Sequence, residues 1–312
     1  MWRVTLLGTG GTMPLKNRWL SSCLLSYNGH SILTDCGEGT QIALKWAEQK
    51  SKPIDYICIT HFHADHISGL PGFLLTLGNE GRTEPLTIVG PVGVAHYVKA
   101  LCTLTPNLPF DIRCREVTND TTVIQASSVE IRPFRVRHGI PCLGYSFMLP
   151  RAGQFDREKA LQNGVPMKVW SRLQREETVE LDGQRYTANM VLGPPRQGLK
   201  VTFTTDTRPT ENIVRFAQDS DLFICEGMFG EADKRERALQ TYHMLYTEAA
   251  QLALSAKVKR LWLTHFSPSM PEPEEYLPQA AAIFPSTECG FDGKSIELTY
   301  VEALSQPPAG EG

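Results

Sequence analysis

The sequence predicts an α/β protein, on three observations. Short apolar, β-branched runs such as Ile54-Asp55-Tyr56-Ile57-Cys58-Ile59, Leu86 to Pro91 and Leu222 to Gly227 are interleaved along the chain with stretches that read as helices. The residues able to carry chemistry lie just beyond such strands, above all the three histidines and one carboxylate of Thr60-His61-Phe62-His63-Ala64-Asp65-His66. With 312 residues, 41% hydrophobic and 21% charged, the chain has the size and balance of a globular protein with a sizeable core. No stretch approaches the ~20 apolar residues of a membrane span, and the first residues lack the basic and apolar regions of a signal peptide, so a cytoplasmic protein without membrane contact is expected. The net charge of −3 gives no global nucleic-acid signal, so any RNA binding must rest on local basic patches. The eight cysteines form no C-x-x-C pair and are expected as reduced thiols, Cys58 and Cys225 as small core residues.

Trp2 to Leu7 reads as the first strand, followed by the glycine-rich Gly8-Thr9-Gly10-Gly11-Thr12-Met13-Pro14. Neither a Walker nor a dinucleotide spacing is met there, which favours a tight turn. Cys23 to Tyr27 and Ser31 to Asp35 form a hairpin across Asn28-Gly29, a type I′ signal, and Asp35-Cys36-Gly37-Glu38-Gly39-Thr40-Gln41 leads into a helix near Ile42. After the strand ending at Ile59, a helix is expected to begin near Asp65, with Pro71 tolerated in or just after an early turn. Leu86 to Pro91 is another buried strand and Val92 to Leu104 a helix, on which His96 reads as structural or exposed.

His61 and His63 alternate around Phe62 and can converge on one ion, while Asp65 and His66 are displaced toward a second. Imidazole nitrogen and carboxylate oxygen are ligands for zinc-like metals, and two ions about 3.5–4 Å apart would suit that split. One histidine in such a loop would favour a purely structural reading; three interleaved with an aspartate do not. Val129 to Gly139 alternates apolar and basic residues, the period of a half-buried strand. His138 stands at its end, before Gly144 to Leu149 returns as a partner strand. From Pro150 to Pro195 the apolar periodicity weakens and Lys or Arg recurs at 151, 157, 159, 168, 172, 175, 185 and 196, an excursion from the domain. Leu199 to Thr205 is a strand, and Asp206-Thr207-Arg208-Pro209 follows, with Pro209 at an early helix position. Asp206 is open to two readings there, a helix cap or a carboxylate shared by two cations. The run Glu231 to Arg237 is a solvated charge run, and Tyr242-His243-Met244-Leu245 precedes a further helix. Lys259 to Thr264 then repeats the strand-then-histidine pattern at His265.

His61-x-His63-x-Asp65-His66 is the signature of the metallo-β-lactamase fold, and Thr60-His61 through Gly69-Leu70-Pro71-Gly72 resembles ribonuclease Z, the tRNA 3′-processing endonuclease. Leu7-Gly8-Thr9 with Lys16-Asn17-Arg18, Asp35 to Gln41, Asp206-Thr207-Arg208-Pro209, Ile283-Phe284-Pro285 and Phe291-Asp292-Gly293 are similar to the same family. The resemblance implies an αββα sandwich of two mixed β-sheets flanked by helices. It also implies a single domain over 1–312, a flexible substrate-binding arm inserted at 150–195 and a disordered tail at 305–312. It places His61, His63 and His138 on one metal, Asp65, His66 and His265 on the other, and Asp206 between them, with two Zn2+ per subunit and Mn2+ as a possible substitute. Asp35 fits better as a partner orienting a ligating imidazole than as a ligand. Asp65 orients water and accepts its proton, and His243 stabilises developing charge or protonates the departing 3′ oxygen. Lys16 and Arg18, with Gly164 and Pro166 in the arm, are expected to meet substrate.

The implied substrate is precursor tRNA, cut to leave a 3′-hydroxyl on the tRNA and a 5′-phosphate on the trailer, by a homodimer whose arms hold RNA for the neighbouring subunit. The chain departs from the family pattern at Thr205, at Met167-Lys168-Val169-Trp170, where a second Gly-Pro pair is usual, and at Met244-Leu245, where small hydroxyl residues are usual. Two rivals remain: a phosphodiesterase of the same fold for small or cyclic esters, needing no arm, and a non-catalytic RNA-binding protein that keeps metal for stability.

Overall fold

The computed structural model describes residues 2–300, so the tail expected at 305–312 lies outside the described residues. The strands run β1 (Trp2–Gly8), β2 (Ser22–Tyr27), β3 (His30–Thr34), β4 (Ile54–Cys58), β5 (Leu86–Pro91), β6 (Ile112–Val117), β7 (Ile124–Ala126), β8 (Val129–Val136), β9 (Cys142–Arg151), β10 (Thr178–Leu181), β11 (Gln184–Thr187), β12 (Arg196–Phe203), β13 (Leu222–Glu226), β14 (Leu261–Thr264), β15 (Thr287–Cys289) and β16 (Ser295–Leu298). One seven-stranded sheet has the order β16-β1-β2-β3-β4-β5-β6 and the other β15-β14-β13-β12-β9-β8-β7. Both are mixed: β3 to β6 and β12 to β15 pair in parallel, while β16-β1-β2-β3 and β7-β8-β9 pair antiparallel. This is the αββα sandwich that the sequence implied.

Each sheet carries helices on one face. Helices α1 (Thr40–Trp46), α2 (Ala64–Ile67), α3 (Leu70–Asn79) and α4 (Val94–Cys102) belong to the first half. Leu44, Leu70, Phe73, Leu74, Leu77 and Val98 from them close over Leu33, Ile57 and Ile88 of the first sheet. In the second half, α7 (Glu211–Ala217), α9 (Tyr246–Ser255) and α10 (Leu277–Ala281) bury Ile213, Ala250, Ala253 and Ala280 with Phe223, Cys225 and Leu263. β4 and β13 are apolar almost throughout because strands covered on both faces leave no side for alternation.

The Asn28-Gly29 turn has both residues at positive φ, 48° and 79°, as a type I′ hairpin requires. Two expectations need correction. The helix expected from Asp65 is two helices, because Gly69 lies close against the 36–37 loop: a Cβ there would sit 2.1 Å from the Gly37 carbonyl oxygen. Pro71 then occupies the first turn of α3, where its missing N–H costs nothing. Pro209 lies ahead of helix α7 rather than in it, since Thr210 is the N-cap and accepts from the Ile213 amide at 3.3 Å.

Residues Leu149–Leu199 form a second compact unit. It holds α5 (Arg157–Gln162), α6 (Met167–Leu173) and the β10-β11 hairpin. The weak apolar periodicity hid a small core of Ala160, Val165, Val169, Leu173, Val179, Tyr186 and Val191. Elements of four to seven residues contribute one or two apolar side chains each, too few to show a period.

Candidate metal centre

Four parallel or hairpin strands end beside one another, and each delivers a ligand-type side chain just past its last residue. His61 and His63 follow β4, His138 follows β8, Asp206 follows β12 and His265 follows β14; Asp65 and His66 lie on α2. Loops at the carboxyl ends of parallel strands are where open α/β sheets place their ligands, since the backbone is free of the ladder there. The sequence-predicted ligands gather into two overlapping groups. In the first, His61 Nε2 is 3.0 Å from His63 Nδ1, which is 3.3 Å from His138 Nε2. Asp206 Oδ2 lies 3.6 and 3.7 Å from His61 Nε2 and His138 Nε2. In the second, His66 Nε2 and His265 Nε2 are 3.2 Å apart, Asp65 Oδ2 is 3.5 and 3.4 Å from them, and Asp206 Oδ1 is 3.1 and 3.0 Å from them.

These groups fit metal ions on the chemistry of the donors. A tetrahedron of ligands at ~2.0–2.1 Å from its centre has edges of about 3.3 Å, and the spacings above scatter around that value. His61, His66 and Asp206 are 0%, 0% and 3% exposed, so water cannot satisfy them. Asp206 Oδ1 is buried and, although 3.1 and 3.0 Å from the Nε2 atoms of His66 and His265, is aligned with neither for a hydrogen bond; such a carboxylate oxygen is costly unless a cation meets it. The electrostatics reflect the same crowding of acids and imidazoles: against the cost of burial, Asp206, Asp35 and Asp65 push His66 well above its ordinary value when no cation is present. Against the cost of burial, the imidazoles of His265, His66 and His61 hold Asp206 well below the usual carboxylate range, and His66 and His265 do the same for Asp65. Burial takes His61 well below its ordinary value and His138 down to about 4, leaving both neutral as ligands must be.

The partners behind the ligands are in place as well. Asp35, fully buried, meets His66 Nδ1 at 2.7 Å through Oδ2, and its Oδ1 accepts the Thr60 amide at 2.8 Å and the Thr60 hydroxyl at 3.0 Å. It turns His66 Nε2 inward, the orienting role expected from the sequence. Asp35 and His265 adopt left-handed backbone, φ 56° and 58°, a region that aspartate and histidine enter more readily than most non-glycine residues. Gly11 comes close to His265: a Cβ there would lie 2.6 Å from the imidazole Cε1. The glycine-rich turn therefore serves ring packing rather than phosphate. Its Thr12 amide donates to Asp65 Oδ2 at 2.7 Å.

His243 stands beside both groups, its Nε2 3.9 Å from Asp206 Oδ2. Its Nδ1 faces Glu226 Oε2 at 3.1 Å. Burial alone would lower its pKa, but the Glu226 carboxylate and then Asp206 raise it to about 9. Glu226 is the functional residue the sequence reading missed, although it ends β13 as the other acids and histidines end theirs; it is fully buried and also accepts the amides of Thr207 and Met244. Arg208 fastens the same loop, donating to the His243 carbonyl and to both Glu248 carboxylate oxygens. Leu245, the N-cap of α9, has no side-chain oxygen, and Glu248 accepts its amide at 2.9 Å instead.

The expected substrate contacts lie elsewhere. Lys16 is exposed. Arg18 is buried, with its guanidinium donating to the carbonyls of Met270 and Pro271 at 2.9 Å, so it pins a loop rather than offering a free cation. Gly164 and Pro166 form the turn between α5 and α6, Gly164 at φ 64° and Pro166 as N-cap, both fully accounted for by local geometry. In the departing segment, Val169 joins the small core and Trp170 packs on Phe155. Two of the unit's cations are paired at its surface, Lys168 with Asp182 and Arg172 with Glu176.

Comparison with known proteins finds full-length relatives. A ribonuclease Z of Agathobacter rectalis is 54% identical over 302 residues, 97% of this chain and 100% of the relative. A ribonuclease Z of Lachnospira eligens is 50% identical over 300 residues, 96% of this chain and 99% of the relative. The crystal structure of the short form of human tRNase Z matches with a TM-score of 0.69 at 25% identity, over 96% of this chain and 100% of that one. A family model described as the anti-Pycsar protein Apyc1 matches residues 2–94, the part that carries the first histidine cluster.

Proposed function

The chain belongs to the ribonuclease Z family, and from that premise we propose that it is a zinc-dependent endoribonuclease that cuts the 3′ trailer from precursor tRNA. The observation that carries the reading is the meeting, around Asp206, of seven ligand-type side chains drawn from four separate parts of the chain. In this reading His61, His63 and His138 hold one Zn2+, Asp65, His66 and His265 hold a second, and Asp206 serves both, with Mn2+ able to substitute. When bound, such a pair supplies Lewis-acid polarisation of the phosphate and activation of water near neutral pH.

The chain's own residues do the rest. Asp35 and Thr60 fix the imidazoles of His66 and His61. Asp65 Oδ2, held by the Thr12 amide, orients the attacking water and accepts its proton. His243, kept protonated by Glu226, faces the reacting phosphate and gives its proton to the departing 3′ oxygen of the tRNA as the P–O3′ bond breaks. The products are a tRNA 3′-hydroxyl and a trailer 5′-phosphate. The unit 149–199 acts as the arm that holds the tRNA by its phosphates, and the exposed Lys16 adds a further cationic contact. The protein works as a homodimer in the cytoplasm.

The test is incubation of the purified protein with zinc or manganese, in parallel with precursor tRNA and with a small phosphodiester. The reading expects trailer removal that a chelator abolishes. Hydrolysis of the small ester with no cleavage of precursor tRNA would instead favour the small-substrate phosphodiesterase.

A further inference from the structure

A cleft of about 530 Å³ opens beside His243, and nothing in the proposed chemistry uses most of its wall. Its volume lies within the ~300–1,000 Å³ range of small-ligand sites. Lys234, Arg237 and Thr241 line it from one side, and Thr12, Phe229 and His243 are among the residues that complete it. The spacing explains the cations. Lys234, Arg237 and Thr241 are three and four residues apart across the 3₁₀ turn Ala232–Lys234 and helix α8 (Arg235–Thr241), so they share one face. Of the run Glu231 to Arg237, read from the sequence as merely solvated, only its Lys234 and Arg237 line the cleft; Glu231, Asp233 and Glu236 do not. Neither Lys234 nor Arg237 has an ion-pair partner among the described residues, whereas the cations of the 149–199 unit at 168 and 172 do. Two unpaired cations on one wall of a cleft that borders His243 suit the phosphate of a nucleotide.

The direction of the cut says which nucleotide. If His243 protonates the 3′ oxygen of the tRNA, then the departing nucleoside lies on the His243 side, opposite the attacking water, and the cleft continues from there. We propose that this cleft is a subsite for the last nucleotide of the mature tRNA, with Lys234 and Arg237 holding the phosphate on its 5′ side; this rests on the endonuclease reading given above. The subsite engages single-stranded acceptor RNA through charge, and it would add to affinity for every precursor regardless of trailer length.

The experiment compares wild-type protein with Lys234→Gln/Arg237→Gln, zinc-loaded, on precursor tRNAs carrying a one-nucleotide or a long trailer, over a range of salt. A slope of about −0.7 per neutralised phosphate is typical of single strands, so losing the contact to that one phosphate flattens the plot of log(kcat/KM) against log salt by about 0.7. At low salt kcat/KM falls about tenfold or more, equally for both trailers and mainly through KM. The charge-conserving Lys234→Arg/Arg237→Lys pair keeps the wild-type slope, which a merely structural role would not predict. An unchanged slope, or a loss confined to the long trailer, overturns the subsite while leaving the endonuclease standing. A wild-type protein that cleaves only the small phosphodiester overturns both.

Discussion

Asp35 illustrates how a residue that touches no candidate ion can govern one. Its carboxylate fixes the tautomer and direction of His66 from full burial. Asp35→Asn keeps the shape but can present an N–H where an acceptor is needed, so zinc affinity or turnover should fall about 10–100-fold, as measured by metal titration of the stripped protein and by precursor cleavage. His243 gives a pH prediction. Its pKa is raised to about 9 in the folded protein, against ~6.5 for a free imidazole. A base with a raised folded pKa binds its proton more tightly when folded, so the stabilisation is fully present below about pH 6.5 and is lost as pH rises through about 9. In metal-free protein, His243→Gln should remove that component, seen as a flatter dependence of the melting temperature on pH between about 6 and 10. A wild-type and variant difference that does not change with pH would show that the Glu226 contact does not hold a charged imidazole.

At the scale of single elements, the turns after strands matter more than the strands. In the loop after β1, Gly11 has no positive φ to preserve, but a Cβ would enter the His265 ring at 2.6–2.9 Å. Gly11→Ala should displace the imidazole, so the expected outcome is loss of one ion per chain, read by metal analysis, with a melting temperature lowered toward that of the metal-free wild-type protein. The entrance of α9 sets two effects against each other. Leu245→Ser would supply the missing cap oxygen, a gain of about 0.5–2 kcal/mol. It would also remove a 4%-exposed leucine from its packing with Met228, Phe229 and Ala238, and such truncations cost about 2–5 kcal/mol. Packing wins, and denaturant unfolding should find the variant about 1–3 kcal/mol less stable. The chain has replaced a polar cap with an apolar staple whose amide is held by Glu248.

Over the whole molecule, the chain forms two compact units. The 149–199 unit has its own small core. Replacing it with a short linker should abolish precursor tRNA cleavage while hydrolysis of a small phosphodiester persists, checked on one preparation with both substrates. Removing metal should act on the other unit. A buried cluster of acids and imidazoles left without cations destabilises the native state, so a chelator should lower the melting temperature and zinc should restore it in a concentration-dependent way. Among the described residues no helix is long and apolar enough to cross a membrane.

Much of this was written locally in the chain. Thr60 to His66 announced ligands because imidazoles and an acid crowd one strand end; Asn28-Gly29 announced its hairpin because asparagine and glycine both enter positive φ cheaply. The α/β alternation followed from the strand runs, and the motifs carried the family. Other features were silent. Glu226 looked like any acid after an apolar run, and only the packing of β13 beside the His243 loop gives it a partner. Arg18 read as a free cation until the 267–271 backbone closed over it. The small core of the inserted unit showed no period because its elements are too short. The sequence by itself determined which residues have the chemistry and which element each one ends. The tertiary structure alone decided which of them meet, because contacts between residues up to 200 positions apart depend on how strands stack in a sheet and not on any spacing along the chain.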